Sequence, residues 1–172
     1  RGVMTIDTEH FCDDLRTSPV PSLGIILVTG ATGYVGGRLV PELIARGYRV
    51  RVLVRARSDD DAERWPGAEV AVGDVADRAA MRIAMRGVCA AYYLIHSLLL
   101  GTGKFEAAER INARNFRLAA EETGVKRIIY LGGLGDVRTR LSPHLRSRMC
   151  VAEELQSDST VATTVLRAAI II

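Results

Sequence analysis

The feature that most constrains this fold is an apolar run followed at once by three evenly spaced glycines, GIILVTGATGYVGG. Gly30, Gly33 and Gly36 come directly after a predicted strand and open a predicted helix. Gly30 permits a tight turn, Gly33 lets the backbone approach a diphosphate, and Gly36 lets the helix pack closely on the sheet. The N–H groups and the dipole at that helix start attract phosphate. The order strand, triplet, helix and second strand therefore predicts a dinucleotide-binding β-α-β unit, rather than a structural glycine turn.

Short apolar runs alternate with longer helical patterns along the rest of the chain. The runs are mostly β-branched and lack strict polar alternation, which is typical of parallel strands covered on both faces. They comprise residues 24–29, 49–54, 69–72, 88–95, 127–131 and 163–172, and the predicted helices comprise residues 34–47, 77–87, 104–123 and 143–156. This alternation predicts an α/β fold with a doubly wound parallel sheet and helices on both faces.

Three of the predicted helices carry specific expectations. Pro41 lies inside the first and should kink it or weaken one turn. Asp77 is a suitable N-cap for the second, whose buried side is formed by Met81, Met85 and either Ile83 or Ala84. The third places a set of apolar residues on or near one face: Phe105, Ala108, Ile111, Phe116, Leu118 and Ala119.

The two ends of the chain differ from its middle. Residues 1–22 are polar and acidic and contain Pro19 and Pro21, so we expect a flexible leader before a domain spanning residues 23–172. The sequence begins without Met and stops inside an apolar strand. We therefore expect the front part of a longer protein, truncated after the sixth strand, with the substrate-binding part beyond it.

Composition excludes several protein classes. The chain has 172 residues, 48% hydrophobic and 25% charged, which suits one globular domain and excludes disorder, collagen and a disulfide-rich scaffold. The apolar stretch at residues 90–100 contains a histidine and is shorter than the roughly 18 residues of a membrane span. Cys12, Cys89 and Cys150 are widely separated and no secretory signal is visible. These features favour reduced thiols, a cytoplasmic location and no metal site.

The charge pattern argues against nucleic acid as a partner. The net charge is +3, and all but Lys104 and Lys126 of the 23 basic residues are arginine. These arginines are spread among 20 acidic residues with no basic block and little aromatic interleaving. A solvated surface of mixed charge is the better interpretation.

Residues at the predicted strand ends indicate which dinucleotide would bind. An NAD site usually has an acid at the end of the second strand for the ribose 2′-hydroxyl, but this chain has Arg55 there. Because arginine can form paired hydrogen bonds with a 2′-phosphate, we expect NADP(H) rather than NAD(H). Alternatively, Arg55 could be a solvated residue beside the acids at 59–61. Asp74 could accept from the adenine amino group, with Val75 against the ring, or could only cap the next segment. The predicted cofactor contacts are Gly30, Thr32, Gly33, Tyr34, Val35, Gly36, Arg55, Asp74, Val75, Leu94 and Gly132.

Five segments together resemble the short-chain dehydrogenase/reductase superfamily, on its extended and atypical side. They are VTGATGYVGGRLV, GDVAD, AAYYLIHS, GVKRIIYLGGLG and TVLRAAIII, and the resemblance covers residues 24–172. YYLIHS with LSPHLRSR is similar to an atypical bacterial subgroup related to the NmrA-like and epimerase-like families. The resemblance implies a Rossmann fold, a bound dinucleotide and oxidoreductase chemistry, and it allows a homodimer.

The sequence departs from the superfamily at its catalytic positions. Where members carry Tyr-x-x-x-Lys, this chain has His144 and Arg148, as the resembling subgroup does, and Gly132 and Gly133 stand where a serine is expected. Spacing of four on a helix puts His144 and Arg148 on one face. His144 could exchange a proton near neutral pH, and Arg148 could hold ribose hydroxyls or a substrate carbonyl. Equally, both could merely face solvent or a partner.

Two further residues enter the comparison of functions. His96 follows the fourth predicted strand and is a second acid/base candidate, or a hydrogen-bonded loop residue, while Tyr130 is expected in the core. The favoured function is oxidation or reduction of a small carbonyl or alcohol substrate. The main alternative is a non-catalytic redox sensor or assembly protein that binds NADP(H). A sugar-nucleotide epimerase or dehydratase comes third, because it would ordinarily require the tyrosine pair.

Overall fold

A six-stranded parallel sheet forms the centre of the protein. The computed structural model describes residues 12 and 14 and the ranges 17–95, 104–134 and 143–168, without the side chains of residues 104, 105, 143 and 144. The strands are β1 (Ile25–Thr29), β2 (Arg49–Val54), β3 (Glu69–Val72), β4 (Val88–Tyr93), β5 (Arg127–Gly133) and β6 (Ala162–Ala168). The helices are α1 (Tyr34–Ala45), α2 (Asp61–Arg64), α3 (Arg78–Ala84), α4 (Lys104–Thr123) and α5 (Pro143–Gln156). The strand order is β3-β2-β1-β4-β5-β6, which confirms the predicted doubly wound Rossmann fold.

Strand β1 is buried on both faces, as its unbroken apolar sequence predicted. Leu27 and Val28 are both fully buried but belong to different core clusters, because successive strand residues point to opposite sides of a sheet. One cluster lies under α3, α4 and α5 and includes Met81, Phe116 and Leu155. The other lies under α1 and includes Val40, Val52 and Trp65.

The buried faces of α3 and α4 resolve two expectations. Asp77 caps α3 as predicted, and the buried side uses Ala84, whereas Ile83 is 62% exposed. On α4 the prediction for Ile111 is wrong, because that side chain is 57% exposed. Phe116 and Ala119 are fully buried, as predicted, and the rest of the buried stripe consists of small and polar residues that the apolar pattern did not pick out: Glu109, Ala113, Arg117 and Ala120.

The sequence predicted helix α1 with its internal proline but did not predict helix α2. Helix α1 continues through Pro41, which has no N–H to donate to the preceding turn. Helix α2 has only four residues and was missed, since so short a segment has no helical periodicity to detect. Among the described residues, no helix has both the length and the apolar character needed to cross a lipid bilayer.

Candidate functional site

The carboxyl ends of β1 and β4 create the crevice around which the site is built. These strands are neighbours in the sheet, but the chain leaves them in opposite directions, towards β2 and β5. In doubly wound sheets ligands bind at this reversal point. Thr29, fully buried, ties the two ends together, since its hydroxyl donates to the Tyr92 carbonyl oxygen at 2.8 Å and accepts from the Leu94 N–H at 3.3 Å.

The glycine loop follows β1 and can be formed only with very small residues. Gly30 has a φ of +70°, a left-handed conformation that favours glycine, and a Cβ there would lie 2.6 Å from the Leu94 carbonyl oxygen. A Cβ at Gly36 would lie 2.7 Å from Ala31 Cα, and one at Gly33 would crowd the Gly30 carbonyl oxygen at 3.3 Å. Glycine at these positions therefore allows close backbone contacts and leaves the loop without side chains there.

Helix α1 starts from this loop without a side-chain cap. Gly33 is its N-cap residue and offers no side-chain acceptor to the first turn, where Tyr34, Val35 and Gly36 lie. The first turn also contains no acidic residue. A diphosphate fits such a start, because its oxygens can accept from first-turn N–H groups and interact favourably with the helix dipole. Thr32 is exposed within the loop itself.

The two arginines that follow β2, Arg55 and Arg57, have different contacts. The guanidinium of Arg57 donates to the Val70 carbonyl oxygen at 3.0 Å, which ties it to β3. Arg55 is exposed and forms no hydrogen bond or ion pair with another residue of the described ranges. The neighbouring acid Asp61 is buried and accepts from the Ser58 N–H at 3.0 Å, so it is engaged in local capping.

The segment after β3 is held mainly by local bonds. Asp74 Oδ1 accepts from the Ala76 N–H at 2.9 Å, which is the predicted capping geometry, and the Asp74 side chain is exposed. Val75 is 5% exposed and packs in the core, next to the predicted adenine contact Asp74. Asn115 on α4 donates to the Ala76 carbonyl oxygen at 2.8 Å and positions this segment from outside.

The carboxyl end of β5 brings two predicted site residues together. Gly132 and Arg148 line one cavity between β5, β6 and α5. The Arg148 side chain rests against Gly133, where a Cβ would lie 3.2 Å from Arg148 Cδ. His96 lies outside the described residues, as does the side chain of His144, although the His144 backbone belongs to α5.

Tyr130 is a core residue, as predicted. Its ring is fully buried, and its hydroxyl donates to the Arg148 carbonyl oxygen at 3.2 Å. Burial raises the pKa of Tyr130 well above its ordinary value, so it remains a neutral phenol at physiological pH. It therefore supports α5 and lacks the lowered pKa that a proton-transferring tyrosine needs.

The sequence matches a known family over most of its length. A family model described as NAD(P)H-binding matches residues 30–170. The chain belongs to this NAD(P)H-binding family. The match begins at the first glycine of the loop and runs into the segment after β6. Together with the strand order, the match shows an NAD(P)H-binding Rossmann domain.

Individual relatives agree with this family. The chain is 35% identical over 114 residues to sterol demethylase protein B of Methylococcus capsulatus, covering 64% of this chain and 35% of the relative. A Citrobacter triphenylmethane reductase, solved in complex with NADP(H), is 25% identical with a TM-score of 0.68, covering 84% of this chain and 49% of that chain. A short-chain dehydrogenase/reductase superfamily protein from Agrobacterium tumefaciens, solved with NAD, shares the fold at 24% identity and a TM-score of 0.68, covering 83% of this chain and 48% of that chain.

The chain spans about a third of the length of the curated relative and about half of the two solved chains. The matched portion is the nucleotide-binding part described above.

Four residues around the candidate site were not singled out as site residues from sequence. Thr29 joins β1 to β4, Asn115 holds the Ala76 carbonyl, and Arg64 donates to the Thr32 carbonyl oxygen at 3.3 Å. Arg167 lines the cavity beside Gly132. No clear sequence signal pointed to any of the four, since even Arg167 lies in the middle of the predicted strand 163–172 and is near the carboxyl end only of the shorter observed β6.

Proposed function

We propose that this protein is an NADP(H)-dependent oxidoreductase acting on a small carbonyl or alcohol substrate. The observation that carries the proposal is Arg55, an exposed arginine with no partner in the described ranges at the end of β2, where the strand leaves the sheet beside the glycine loop. A guanidinium in this position is suited to a 2′-phosphate, which NADP carries and NAD lacks. The NADP(H) bound to the Citrobacter reductase gives related support.

The surroundings of Arg55 favour that role over simple solvation. Arg57 is tied to the Val70 carbonyl oxygen, and no acid of the described ranges, the nearby Asp61 included, forms an ion pair with Arg55. Arg64 donates to the Thr32 carbonyl oxygen and so brings a positive charge to the glycine loop. An NAD site would require a hydrogen-bond acceptor where this chain places a cation.

The chemistry assigned to the protein's own residues is proton transfer and orientation. When bound, the nicotinamide supplies or accepts the hydride, which carries two electrons. In the direction of reduction His144 gives a proton to the carbonyl oxygen, and in oxidation it takes the hydroxyl proton. Arg148, permanently charged, polarises the carbonyl and orients the substrate.

Calorimetric titration of the full-length protein with NADPH and NADH tests the cofactor. We expect NADPH to bind more tightly, with the preference lost in Arg55→Ala and kept in Arg57→Ala, the matched control whose guanidinium is already bonded. Equal affinity for the two nucleotides in the wild type would refute the NADP(H) preference. Binding of neither nucleotide by a folded protein would refute the oxidoreductase.

A redox sensor is the second candidate, and Gly132 and Gly133 favour it, because they remove the serine hydroxyl expected of an enzyme. The two candidates differ in turnover. An enzyme loses turnover in His144→Ala while NADPH affinity stays nearly unchanged. A sensor shows no turnover with any carbonyl in a broad screen, but binds a partner protein differently with NADPH and with NADP⁺.

A further inference from the structure

A small cavity lies between α5 and the carboxyl ends of β5 and β6. Its volume is about 60 Å³, and its lining includes the backbone of Gly132 and Gly133 and the charged side chains of Arg148, Glu153 and Arg167. Since one water needs roughly 10 to 15 Å³ by this measure, the cavity has room for roughly four to six water-sized atoms. That is the size of one charged group on a ligand rather than a whole substrate.

Gly133 determines where the Arg148 side chain lies. A Cβ on Gly133 would lie 3.2 Å from Arg148 Cδ and 3.3 Å from Arg148 Nη1, closer than ordinary contact, and 2.9 Å from Leu145 Cδ2. The arginine stem and guanidinium therefore rest on the glycine backbone at the end of β5. A serine at this position would have to displace them, so the missing serine and the arginine form one coupled arrangement.

A second arginine, Arg167, lines the same cavity. Arg167 on β6 is in register with Gly132 on β5, which has no side chain and whose added Cβ would lie 3.1 Å from Tyr130 Cε1. Neither Arg148 nor Arg167 forms an ion pair with an acid of the described ranges. Glu153 is an exposed acid on the lining and pairs with neither of them, so two positive charges face one negative charge.

We propose that this cavity binds an oxyanion group of the substrate, a carboxylate or a phosphate, between Arg148 and Arg167. Guanidinium groups bind carboxylate and phosphate through paired, charge-assisted hydrogen bonds. Gly132 and Gly133 have no side chains that would fill the space between the two arginines. The substrate of the proposed oxidoreductase is then an acidic carbonyl or alcohol compound, and this assignment rests on that proposed function. The phosphates of the dinucleotide belong to the glycine loop and α1, a different part of the sheet edge.

The test is calorimetric titration of the full-length protein, saturated with NADP⁺, with acetate and separately with inorganic phosphate at constant ionic strength in chloride. We expect saturable binding of one of them, weakened at least about tenfold in Arg167→Gln, because a charge-assisted hydrogen bond is lost. Gly133→Ala should weaken it similarly by displacing Arg148. Arg146→Gln, which removes an exposed arginine of α5 outside the cavity, should leave it unchanged.

The outcomes separate this inference from the proposed function. NADPH binding with no binding of either anion, or with equal anion affinity in Arg167→Gln and the wild type, would overturn the oxyanion site alone. The opposite result would be that the wild type binds an anion and Arg167→Gln does not, but that the wild type binds neither NADPH nor NADP⁺ in a separate titration. That result would support the oxyanion site and refute the oxidoreductase. Arg167→Gln tests the oxyanion site even if Gly133→Ala fails to fold. Whichever of acetate and phosphate binds more tightly shows whether the group is a carboxylate or a phosphate.

Discussion

Gly36 on α1 lies directly against the backbone of Gly30 and Ala31 at the end of β1. A Cβ added to Gly36 would lie 2.7 Å from Ala31 Cα and closer still to the Gly30 carbonyl oxygen. Both neighbours are backbone atoms, which cannot rotate away as a side chain can. The start of α1 therefore approaches the end of β1 more closely than any residue with a side chain would allow.

Gly36→Ala should consequently disrupt both stability and cofactor binding. We expect a loss of roughly 1–3 kcal/mol in the free energy of unfolding, the usual range for overpacking, and loss of measurable NADPH binding. Urea denaturation and nucleotide titration measure the two effects. Gly37→Ala is the matched control on the same helix, since its nearest neighbour, the Ala31 carbonyl oxygen, is 3.7 Å from the added Cβ. It should raise stability by up to about 1 kcal/mol, and equal behaviour of the two variants would contradict the steric argument.

Thr29→Val tests the connection between β1 and β4. Valine keeps the shape of threonine but removes the hydroxyl that accepts from the Leu94 N–H and donates to the Tyr92 carbonyl oxygen. We expect a loss of roughly 1–3 kcal/mol, because the Leu94 N–H loses its acceptor. Thr164→Val removes a hydroxyl bonded to the exposed Arg127 and should change stability by less than about 0.5 kcal/mol. A Thr29→Val protein as stable as the wild type by urea denaturation would exclude this role.

The fold was predictable from sequence because its signals are local. The apolar runs of parallel strands, the glycine loop and Asp77 as a helix cap each depend on a few neighbouring residues, and the structure has all of them. Tyr130 was predictable as core from its place inside an apolar strand, and it is fully buried. Ile111 was misplaced because α4 packs through alanines and through Arg117, whose guanidinium pairs with Glu121 and Glu154.

The site was less predictable because its contacts join distant parts of the chain. Thr29 meets residues 63 and 65 positions away, and Asn115 meets one 39 positions away. The contact of Arg148 with Gly133 depends on how α5 lies on β5, which no local pattern encodes. Arg55 was chosen from its position at the end of the second strand, but the bond from Arg57 to the Val70 carbonyl oxygen, which leaves the two arginines in different environments, was not predictable from sequence.

Asp77→Ala should destabilise the protein through the start of α3. The Asp77 carboxylate accepts from the N–H groups of Ala79 and Ala80 at 2.8 and 3.1 Å, which otherwise have no partner within the helix. We expect a loss of about 1 kcal/mol by urea denaturation, within a range of roughly 0.5–2 kcal/mol. Asp77→Asn keeps an acceptor oxygen and should recover most of this. Equal loss in both variants would point to the charge rather than the cap.

The ion pairs of Glu69 should make stability depend on pH. Arg51 donates to Glu69 Oε2 at 2.7 and 2.9 Å and Arg49 to Oε1 at 3.2 Å, linking β2 to β3. The hydrogen bonds from Arg51 hold the pKa of Glu69 below its ordinary value of 4.5, against the opposing effect of desolvation. Because the folded pKa is the lower one, the stabilisation is present above pH 4.5 and is lost as pH falls through the folded pKa.

Glu69→Gln should therefore lower stability at neutral pH and have progressively less effect below pH 4.5. The difference at neutral pH should stay under about 1 kcal/mol, since the carboxylate is 46% exposed and screened by solvent. Glu63→Gln, an exposed acid without an ion pair in the described ranges, should leave stability unchanged at both pH values. Thermal unfolding of the three proteins at pH 7 and pH 3.5 measures this. A wild-type advantage over Glu69→Gln that is equally large at pH 3.5 would show that the two arginines stabilise the strand pair by packing rather than by charge.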